Sequence, residues 1–494
     1  MNKSIIKLVT MLLAAVMMLS FISCSVEEDE KEEIVGLSTP VPIPDELIGS
    51  IVFSSYRCDD GEYACFDFMQ TFVMQYPSVD VELDLADSAE EYFSTLEERI
   101  ENGTIGDVFT IDSSMLGKYA EKNYIVDLSN HSQGVIDFTS ANYDKLYPSK
   151  IFYPAALANS LYDGRMFMCP VEYNNTVMFL NLDMLSSIGL DPVVPKDDWT
   201  WQEVEQIALK LVEAGYDKPI AMDYSDYSVW GAFARSKNAA LYDDVDFADK
   251  NLALKLTNPD VLSGIEYLAN NFIKAGLVAD KTPAEIKAEE LSDYGMIICN
   301  HSDLVRWEKG LNNRGAAQNS LDWELAHFPR FYDEKTETSV ASIGVQTIGL
   351  AVFNRDQFNL DNGVYEAIDD DELLAEEKEN VENTIVNSIR FALYAMVEEA
   401  AVAITGADGY RVPALISANA KKYWRNYPVD GKNTSVFSLY SDFDYPAEVT
   451  SFLLLAPSAE INNAMGDAIK KYAESNDISF DVYMQIIQDA VNSH

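Results

Sequence analysis

The first part of the chain alternates between two hydrophobic periods. Apolar runs, or strict alternation of apolar and polar residues, predict strands at 47–53, 79–85 and 107–111. Between them, apolar residues recur at three- and four-residue spacing, which predicts two helices with one buried face: Cys65, Phe68, Met69, Phe72 and Val73, then Tyr92, Phe93, Leu96 and Ile100. The order of strand, helix, strand, helix and strand predicts a parallel sheet with right-handed crossovers.

The middle of the chain contains two short apolar runs separated by a proline. Residues 162–165 form a turn in which Gly164 is free to take a positive φ. The run 166–169 is predicted to stop at Pro170, because proline cannot donate to a sheet ladder. Residues 176–180 are β-branched, aromatic or otherwise apolar, which predicts a second strand.

A helix is predicted to begin after these strands. Thr200 and Glu203 have the spacing of a capping box, in which each side chain accepts a hydrogen bond from the other residue's backbone amide. Apolar residues continue at helical spacing until Gly215, which is predicted to close the helix. Trp199 and Trp201 bracket the cap, and we expect both to pack in the core.

The second half of the chain has hydrophobic patterns of the same two kinds, and it also contains an acidic segment. Strands are predicted at 294–300, 323–331 and 342–352, and helices open at Asn258 and cover the tail from 461 to 491. A further helix is predicted from the apolar positions Ile385, Ile389, Ala392, Leu393, Met396 and Val397. The acidic run 369–379 is interpreted as a solvated loop and helix face.

Several ordered motifs resemble those of one protein family. They are Tyr-Pro-x-Val-x-Val at 76–81, Gly-x-x-Gly-Asp-Val-Phe at 103–109, Tyr-Ala-x-Lys-Asn-Tyr-Ile-Val-Asp-Leu at 119–128, Phe-Leu-Asn-x-Asp-Met-Leu at 179–185 and Trp-Thr-Trp-x-Glu at 199–203. In this order they resemble the extracellular solute-binding proteins of ABC importers, of the large sugar-binding type related to maltose-binding protein. The resemblance covers roughly residues 46–494.

The resemblance implies an α/β fold of the two-lobed periplasmic-binding-protein type II. Each lobe has a mostly parallel sheet flanked by helices, and the chain crosses between the lobes at a hinge. The implied first lobe is 46–171 plus 331–400, and the implied second lobe is 172–330 plus 401–494. Residues 323–331 are then expected to be a crossover strand that returns to the first lobe.

The N-terminus predicts export. Residues 1–23 combine Lys3 and Lys7 with an apolar stretch that is too short for a comfortable membrane span, which is typical of a signal peptide. Cys24 follows a small residue and precedes an acidic stretch, so this site resembles a bacterial lipoprotein processing site. The alternative is an ordinary cleaved signal with an incidental cysteine. Residues 24–45 are acidic and then proline-rich, which indicates a flexible tether.

Charge and cysteine content exclude some functions. The formal net charge of −46 disfavours a nucleic-acid partner, which would need a basic face. Cysteine and histidine spacings do not match a zinc site, and we predict neither a metal nor a cofactor. Cys169 and Cys299 are expected in the core, whereas Cys58 and Cys65 could pair after export. An Asp-rich segment at 243–246 lacks the glycine and distal glutamate of a calcium loop, so we interpret it as a charged loop.

The resemblance also implies ligand-binding positions, at strand ends and crossovers that face the cleft between the lobes. From the first lobe and the crossover they are Tyr56, Asp59, Asp112, Ser114, Glu172, Tyr173 and Asn174, and from the second lobe Tyr227, Trp230, Asn300, Trp307, Tyr410 and Arg411. Aromatic walls with a few fixed polar groups suit a sugar. Core packing is the alternative for each aromatic, and an ion pair is the alternative for Arg411.

The function implied is that of a monomeric, lipid-anchored binding protein, not an enzyme, at the extracellular face of the cell membrane. It would close around a small polar ligand, an oligosaccharide, and deliver it to the ABC permease. Two alternatives stay open: a surface glycan-binding lipoprotein without a transport role, and a glycosidase that uses two carboxylates. The 81 acidic residues make a carboxylate pair uninformative by itself.

Overall fold

This structure is a computed structural model. It describes residues 47–57, 63–132, 148–190, 194–195, 198–237, 239, 241, 255–313, 321–333, 338–340, 343–406, 411–420, 432–439, 447–448, 458–474 and 479–491. The predicted signal peptide and tether, with Cys24, lie outside these residues, as do Cys58, Asp59, the 243–246 loop and Tyr410.

Three parallel strands form the centre of the first sheet, as their alternation predicts. They are β1 (Gly49–Tyr56), β2 (Val79–Ala86) and β3 (Val108–Asp112). β1 lies between the other two, in register from Gly49 opposite Val79 to Tyr56 opposite Ala86. Helices α1 (Tyr63–Gln75) and α2 (Ala89–Glu101) connect the strands. The strand–helix order therefore gave the correct local topology.

Three further strands complete the first sheet: β6 (Cys169–Asn175), β14 (Ile343–Val352) and β15 (Ala447–Glu448). β14 is antiparallel to both β3 and β6. The prediction that the strand stops at Pro170 is wrong, because β6 continues through it. Pro170 lies opposite Gly349, at a β-bulge where Val171 is the extra residue. A bulge is one of the few places where a sheet tolerates proline.

The second sheet has the strand order β11-β7-β10-β8-β9. Its members are β7 (Val177–Asn181), β8 (Ile220–Met222), β9 (Val278–Asp280), β10 (Met296–Cys299) and β11 (Trp323–His327). Thr176 alone separates β6 from β7, so the chain passes from the first sheet into the second at this residue. The predicted crossover strand 323–331 is shorter than expected, and its observed strand, β11, pairs with β7 in the second sheet.

Two ribbons lie outside these sheets, and their strands are β4 (Leu161–Tyr162), β5 (Arg165–Met166), β12 (Phe331–Asp333) and β13 (Thr338–Val340). Helices surround the sheets. In chain order they are α3 (Leu116–Glu121), α4 (Ser129–Ser132), α5 (Pro148–Ile151), α6 (Pro154–Ala158), α7 (Leu182–Ser187), α8 (Trp201–Glu213), α9 (Tyr227–Ala234), α10 (Pro259–Tyr267), α11 (His301–Asn313), α12 (Arg355–Asp361), α13 (Asp371–Tyr394), α14 (Glu398–Thr405), α15 (Ile416–Asn419), α16 (Val436–Leu439), α17 (Ser458–Glu474) and α18 (Phe480–Val491). A π-helical turn, Leu268–Ile273, extends α10. Within the described ranges, no helix is long and apolar enough to cross a membrane.

The capping box at the start of α8 is confirmed. The Thr200 hydroxyl accepts the Glu203 N–H at 3.2 Å, and the Glu203 carboxylate accepts the Thr200 N–H at 2.7 Å. Trp199 and Trp201 are buried, as expected, and the Trp201 ring packs among several phenylalanines. Cys169 and Cys299 also lie in the core.

Two other predictions have different outcomes. The acidic run is solvated, as predicted, because most of its residues are exposed at the start of α13. Cys65 is buried on α1, and its pairing with Cys58 stays a prediction.

Candidate functional site

Polar residues meet at the carboxyl edge of the first sheet. Tyr56 ends β1, Asp112 ends β3, and Ser114 lies in the 3₁₀ turn that follows. Asp112 Oδ1 accepts the N–H of Ser114 at 2.8 Å, which fixes the carboxylate against the turn. The carboxyl edge of an open α/β sheet is where ligands commonly bind.

Glu172 and Arg411 form a buried ion pair beside this edge. Glu172 Oε2 lies 3.0 Å from Arg411 Nε, and the guanidinium lies over the Tyr56 ring at 4.7 Å from its centroid. Backbone pairing holds the two segments together: the Tyr173 N–H donates to the Val412 carbonyl oxygen at 3.1 Å. The structure therefore brings Tyr56, Glu172 and Arg411 together, although they are far apart in sequence.

Burial dominates the electrostatics of the two carboxyl groups. Desolvation raises the pKa of Glu172, the Arg411 guanidinium opposes that rise, and the nearby Asp112 adds to it. Desolvation also raises the pKa of Asp112, while hydrogen bonds from Ser114 and Gln346 lower it. Both acids lie opposite Ile348 of β14, on either side of that strand, which explains why each influences the other.

Gln346 was missed by the sequence analysis. Its Nε2 donates to Asp112 Oδ2 at 2.5 Å, and its backbone lies opposite Asn174 of β6. Asp112 lies opposite Ile348, which is two residues from Gln346 and therefore on the same face of β14, so Asp112, Gln346 and Asn174 form a diagonal row on one face of the sheet. Gln346 and Thr347 are polar positions just before the apolar run 348–352, but the sequence does not show which strands lie beside them.

Asn174 continues the row towards the second sheet. Ser302 Oγ, on the first turn of α11, donates to Asn174 Oδ1 at 3.4 Å. Asn300 precedes α11 and exchanges hydrogen bonds with Asp303: its Oδ1 accepts the Asp303 N–H at 3.1 Å, and its own N–H reaches Asp303 Oδ2 at 2.9 Å. These contacts place Asn174 and Asn300 at the same junction between the two sheets.

Tyr173 has a structural environment. It is buried on β6, and its hydroxyl donates to the Phe437 carbonyl oxygen at 3.0 Å while accepting from Asn419 Nδ2 at 3.3 Å. These bonds hold the crossover strand against α16 and α15.

The predicted aromatic contacts of the second lobe are enclosed by protein in this conformation. Trp230 is 0% exposed, its Nε1 donates to Asn462 Oδ1 at 3.0 Å, and the Tyr227 ring lies 4.9 Å away. Trp307 is 1% exposed and donates to the Ile286 carbonyl oxygen at 2.8 Å. Tyr227 and Trp230 lie on α9, which packs beside β14, the strand that carries Gln346, and the role of all three residues in ligand binding stays a prediction.

Asp226 is another residue that the sequence analysis did not select as a candidate. It caps α9, where its Oδ1 accepts the Ser228 N–H at 2.7 Å, and its surface is exposed. Even so, surrounding protein raises the pKa of its carboxyl group, and its charge helps to raise the pKa of Asp303.

The described residues contain no group of three or more His, Cys, Asp or Glu side chains placed to hold a metal ion. The arrangement instead offers hydrogen-bond donors and acceptors at fixed positions. Carboxylates accept hydrogen bonds from hydroxyl groups, and side-chain amides both donate and accept hydrogen bonds.

Known structures share this architecture. An ABC substrate-binding protein from Listeria monocytogenes in complex with cycloalternan is 16% identical, with a TM-score of 0.62 over 90% of this chain and 98% of that one. The sugar-binding protein MalE from Xanthomonas citri is 14% identical, with a TM-score of 0.63 over 90% and 96%. The cyclic alpha-maltosyl-1,6-maltose binding protein from Arthrobacter globiformis is 14% identical, with a TM-score of 0.61 over 90% and 98%. These similarities confirm the two-lobed α/β fold.

The family follows from a separate comparison. The model of the family described as bacterial extracellular solute-binding protein matches residues 67–357, which is more than half of the 494 residues. The match spans β2, β3, the β6–β7 crossing and all of β14, and it confirms the resemblance that the motifs indicate. This chain belongs to the bacterial extracellular solute-binding protein family.

Proposed function

We propose that this protein captures an oligosaccharide between its two lobes and delivers it to the permease of an ABC importer. A lipid on Cys24 would hold it at the extracellular face of the membrane. The observation that carries the proposal is the row of Asp112, Gln346 and Asn174 at the carboxyl edge of the first sheet, next to the chain crossing at Thr176.

A sugar suits this row for a chemical reason. Each hydroxyl of a sugar is both a donor and an acceptor, and a buried hydroxyl without a partner costs about 1–3 kcal/mol. Asp112 supplies acceptors, and the amides of Gln346 and Asn174 supply both kinds of group. Structurally similar proteins carry cycloalternan, maltose and α-D-tagatose, which makes these sugars the first ligands to test.

Closure of the lobes provides the signal for transport in this proposal. The chain crosses between the sheets at Thr176, and the segment before β14 carries it back. A ligand that contacts both lobes only in the closed form shifts the population towards that form. The permease would then distinguish the loaded protein from the empty one.

Isothermal titration of the purified chain with maltose, cycloalternan and α-D-tagatose tests the proposal, together with chromatography of the sugar afterwards. We expect stoichiometric binding and an unchanged sugar. Release of shorter sugars would instead support the glycosidase, and binding only to polymeric glycan would support a surface adhesin. Binding of none of the three sugars and no glycan would contradict the proposed carrier.

The anchor has its own test. Mass spectrometry of the mature N-terminus from exported protein should find a diacylglycerol on Cys24. A mature chain that begins elsewhere, without lipid, would contradict the anchor and leave the sugar-binding proposal intact.

A further inference from the structure

Gln346 is exposed at a position where side chains are normally covered. β14 has β3 on one side and β6 on the other, and four consecutive residues that follow Gln346 are buried. An inner strand of an α/β sheet usually has helices packed on both faces. The exposure of Gln346 therefore marks a local opening above the row that it shares with Asp112 and Asn174.

The hydrogen bonds in this opening leave defined chemistry for a ligand. Gln346 Nε2 carries two hydrogens, and one of them bonds to Asp112 Oδ2. Asp112 Oδ1 accepts the Ser114 N–H, and a carboxylate has about four acceptor positions in all. The Ser114 side chain also hydrogen bonds to this carboxylate, which leaves about one acceptor position on Asp112. The second Gln346 hydrogen and that acceptor position belong to groups in direct contact, so one donor and one acceptor adjoin each other.

We propose that Gln346 is a ligand-contacting residue that, with Asp112, recognises one sugar hydroxyl as both donor and acceptor. The hydroxyl hydrogen bonds to Asp112, and its oxygen accepts from Gln346. This pair would reject a ligand that carries a methoxy group or hydrogen at that position. The inference rests on the proposed sugar-binding function and assigns a specificity element to the same site.

Replacing Gln346 by glutamate tests the inference through pH. The side chain keeps its shape, but at pH 8 it places a second carboxylate beside Asp112, and like charges at this distance repel. At pH 5 a proton shared between the two carboxyl groups removes the repulsion, but it lies between them and does not replace the amide hydrogen that faces the ligand. We therefore expect Gln346→Glu to bind sugar about ten- to a hundredfold more weakly than wild type at pH 8, and at pH 5 to recover only the part of that loss that repulsion causes.

Neighbouring charges also titrate, so wild type is measured at both pH values. Glu172 and its partner Arg411 face the pair from β6 and the segment that pairs with it, and Asp303 and Arg306 lie on α11 near Ser302. These four charged residues are present in both wild type and Gln346→Glu. The ratio of variant to wild-type dissociation constants therefore isolates the introduced carboxyl group.

A second variant and a matched control complete the experiment. Gln346→Met removes the donor without adding charge, so we expect a similar loss at pH 5 and pH 8. Gln357→Glu is the control, because Gln357 Nε2 donates to Asp361 Oδ1 at 2.8 Å on α12, an equivalent amide–carboxylate pair at the surface. It should bind as wild type does at both pH values.

Titration calorimetry with whichever of maltose, cycloalternan and α-D-tagatose binds wild type gives the dissociation constants, and circular dichroism verifies folding at each pH. If both Gln346 variants bind like wild type, Gln346 does not contact the ligand, although the proposed function stands. A lower melting temperature with unchanged affinity would also overturn the inference, since Gln346 would then only support Asp112. If wild type binds none of the sugars, the proposed function and the inference fail together.

Discussion

Arg411 shows how one residue links fold and site. Its guanidinium neutralises buried Glu172 and covers the face of the Tyr56 ring, and its Nη1 donates to the Ile404 carbonyl oxygen at 3.3 Å. The sequence placed Arg411 near the cleft but left open whether it binds ligand or forms an ion pair. The ion pair is present, because β6 and the segment after α14 pair backbone to backbone.

Arg411→Met should destabilise the protein by about 3–5 kcal/mol at pH 8, because it leaves Glu172 buried without a counter-charge. Without Arg411, the pKa of Glu172 rises further above its unfolded value, so the folded state binds the extra proton. The free energy of unfolding then falls as pH rises, and the deficit should be smaller at pH 5 than at pH 8. Urea denaturation at both pH values measures this difference.

A double variant and a surface ion pair serve as controls for Arg411→Met. Arg411→Met combined with Glu172→Leu removes both charges and should recover much of the lost stability. The exposed pair between Lys122 and Glu101, with N–O separations of 2.7–2.8 Å, is the control, and Lys122→Met should cost less than about 1 kcal/mol. A deficit for Arg411→Met that is no larger than this would mean that the buried pair is not a structural requirement.

The sequence could not show whether Trp230 and Trp307 are buried in the core or line a cleft. Trp230 and Trp307 were candidates for stacking on a ligand, yet both side chains are enclosed and their indole N–H groups already have protein acceptors. A helical pattern indicates which face of a helix is apolar. It does not say whether that face meets the core or a cleft, because both surroundings favour aromatic residues.

Among the secondary-structure elements, most of the strands and helices predicted in the first half of the chain formed, whereas the prediction for β6 was wrong. The periodicities predicted β1, β2, β3, α1, α2 and α8, and these elements formed. The pattern failed at Pro170, since the tolerance for proline comes from Gly349 on a strand about 180 residues later in the chain. A bulge is a feature of the pairing between two strands, so the residue pattern of one strand alone cannot predict it.

The bulge predicts a specific cost for Gly349→Ala. An added Cβ would lie 2.5 Å from the Cys169 carbonyl oxygen, closer than atoms in contact can approach. Because the obstacle is backbone rather than a flexible side chain, we expect a loss of about 1–3 kcal/mol in the free energy of unfolding. Chemical denaturation of the variant and wild type measures it.

Gly189→Asn is the control for replacing a glycine. Gly189 has φ of 73° and open space around its Cα, and asparagine tolerates this conformation better than most residues. Its stability should stay within about 0.5 kcal/mol of wild type. If Gly349→Ala is equally neutral, the strands at the bulge can separate more easily than their packing suggests.

Three candidate site residues lie at strand ends that the sequence pattern predicts. Tyr56, Asp112 and Ser114 lie at or just after the ends of strands that the hydrophobic pattern predicts, so their place at the sheet edge could be inferred.

Gln346 and Asp226 could not be inferred in this way. Gln346 reaches Asp112 because β14 pairs with β3, and the pKa of Asp226 is raised by protein that packs around the start of α9. Contacts of this kind come from long-range register, which one sequence without relatives does not specify.

For the whole molecule, the short segment 432–437 joins the two sheets by contacts with both. Tyr173 of the first sheet donates to the Phe437 carbonyl oxygen, and the Asn433 N–H donates to Glu324 Oε1 of the second sheet at 2.8 Å. Lys432 lies 4.9 Å from the centroid of the Trp323 ring. Residues 432–437 therefore connect the two sheets beside the crossing at Thr176, and the closure that we propose would have to accommodate this segment.

Closure around a ligand predicts a change that small-angle scattering can measure. In the proposed mechanism, a bound sugar adds contacts to the second lobe only when the lobes approach, so saturating sugar should reduce the radius of gyration. Gln346→Met at the same sugar concentration, below its own dissociation constant, is the control and should stay like the unliganded protein. Ligand binding by calorimetry with no compaction would mean that this chain holds its ligand without hinge closure, and recognition by a permease would then need another signal.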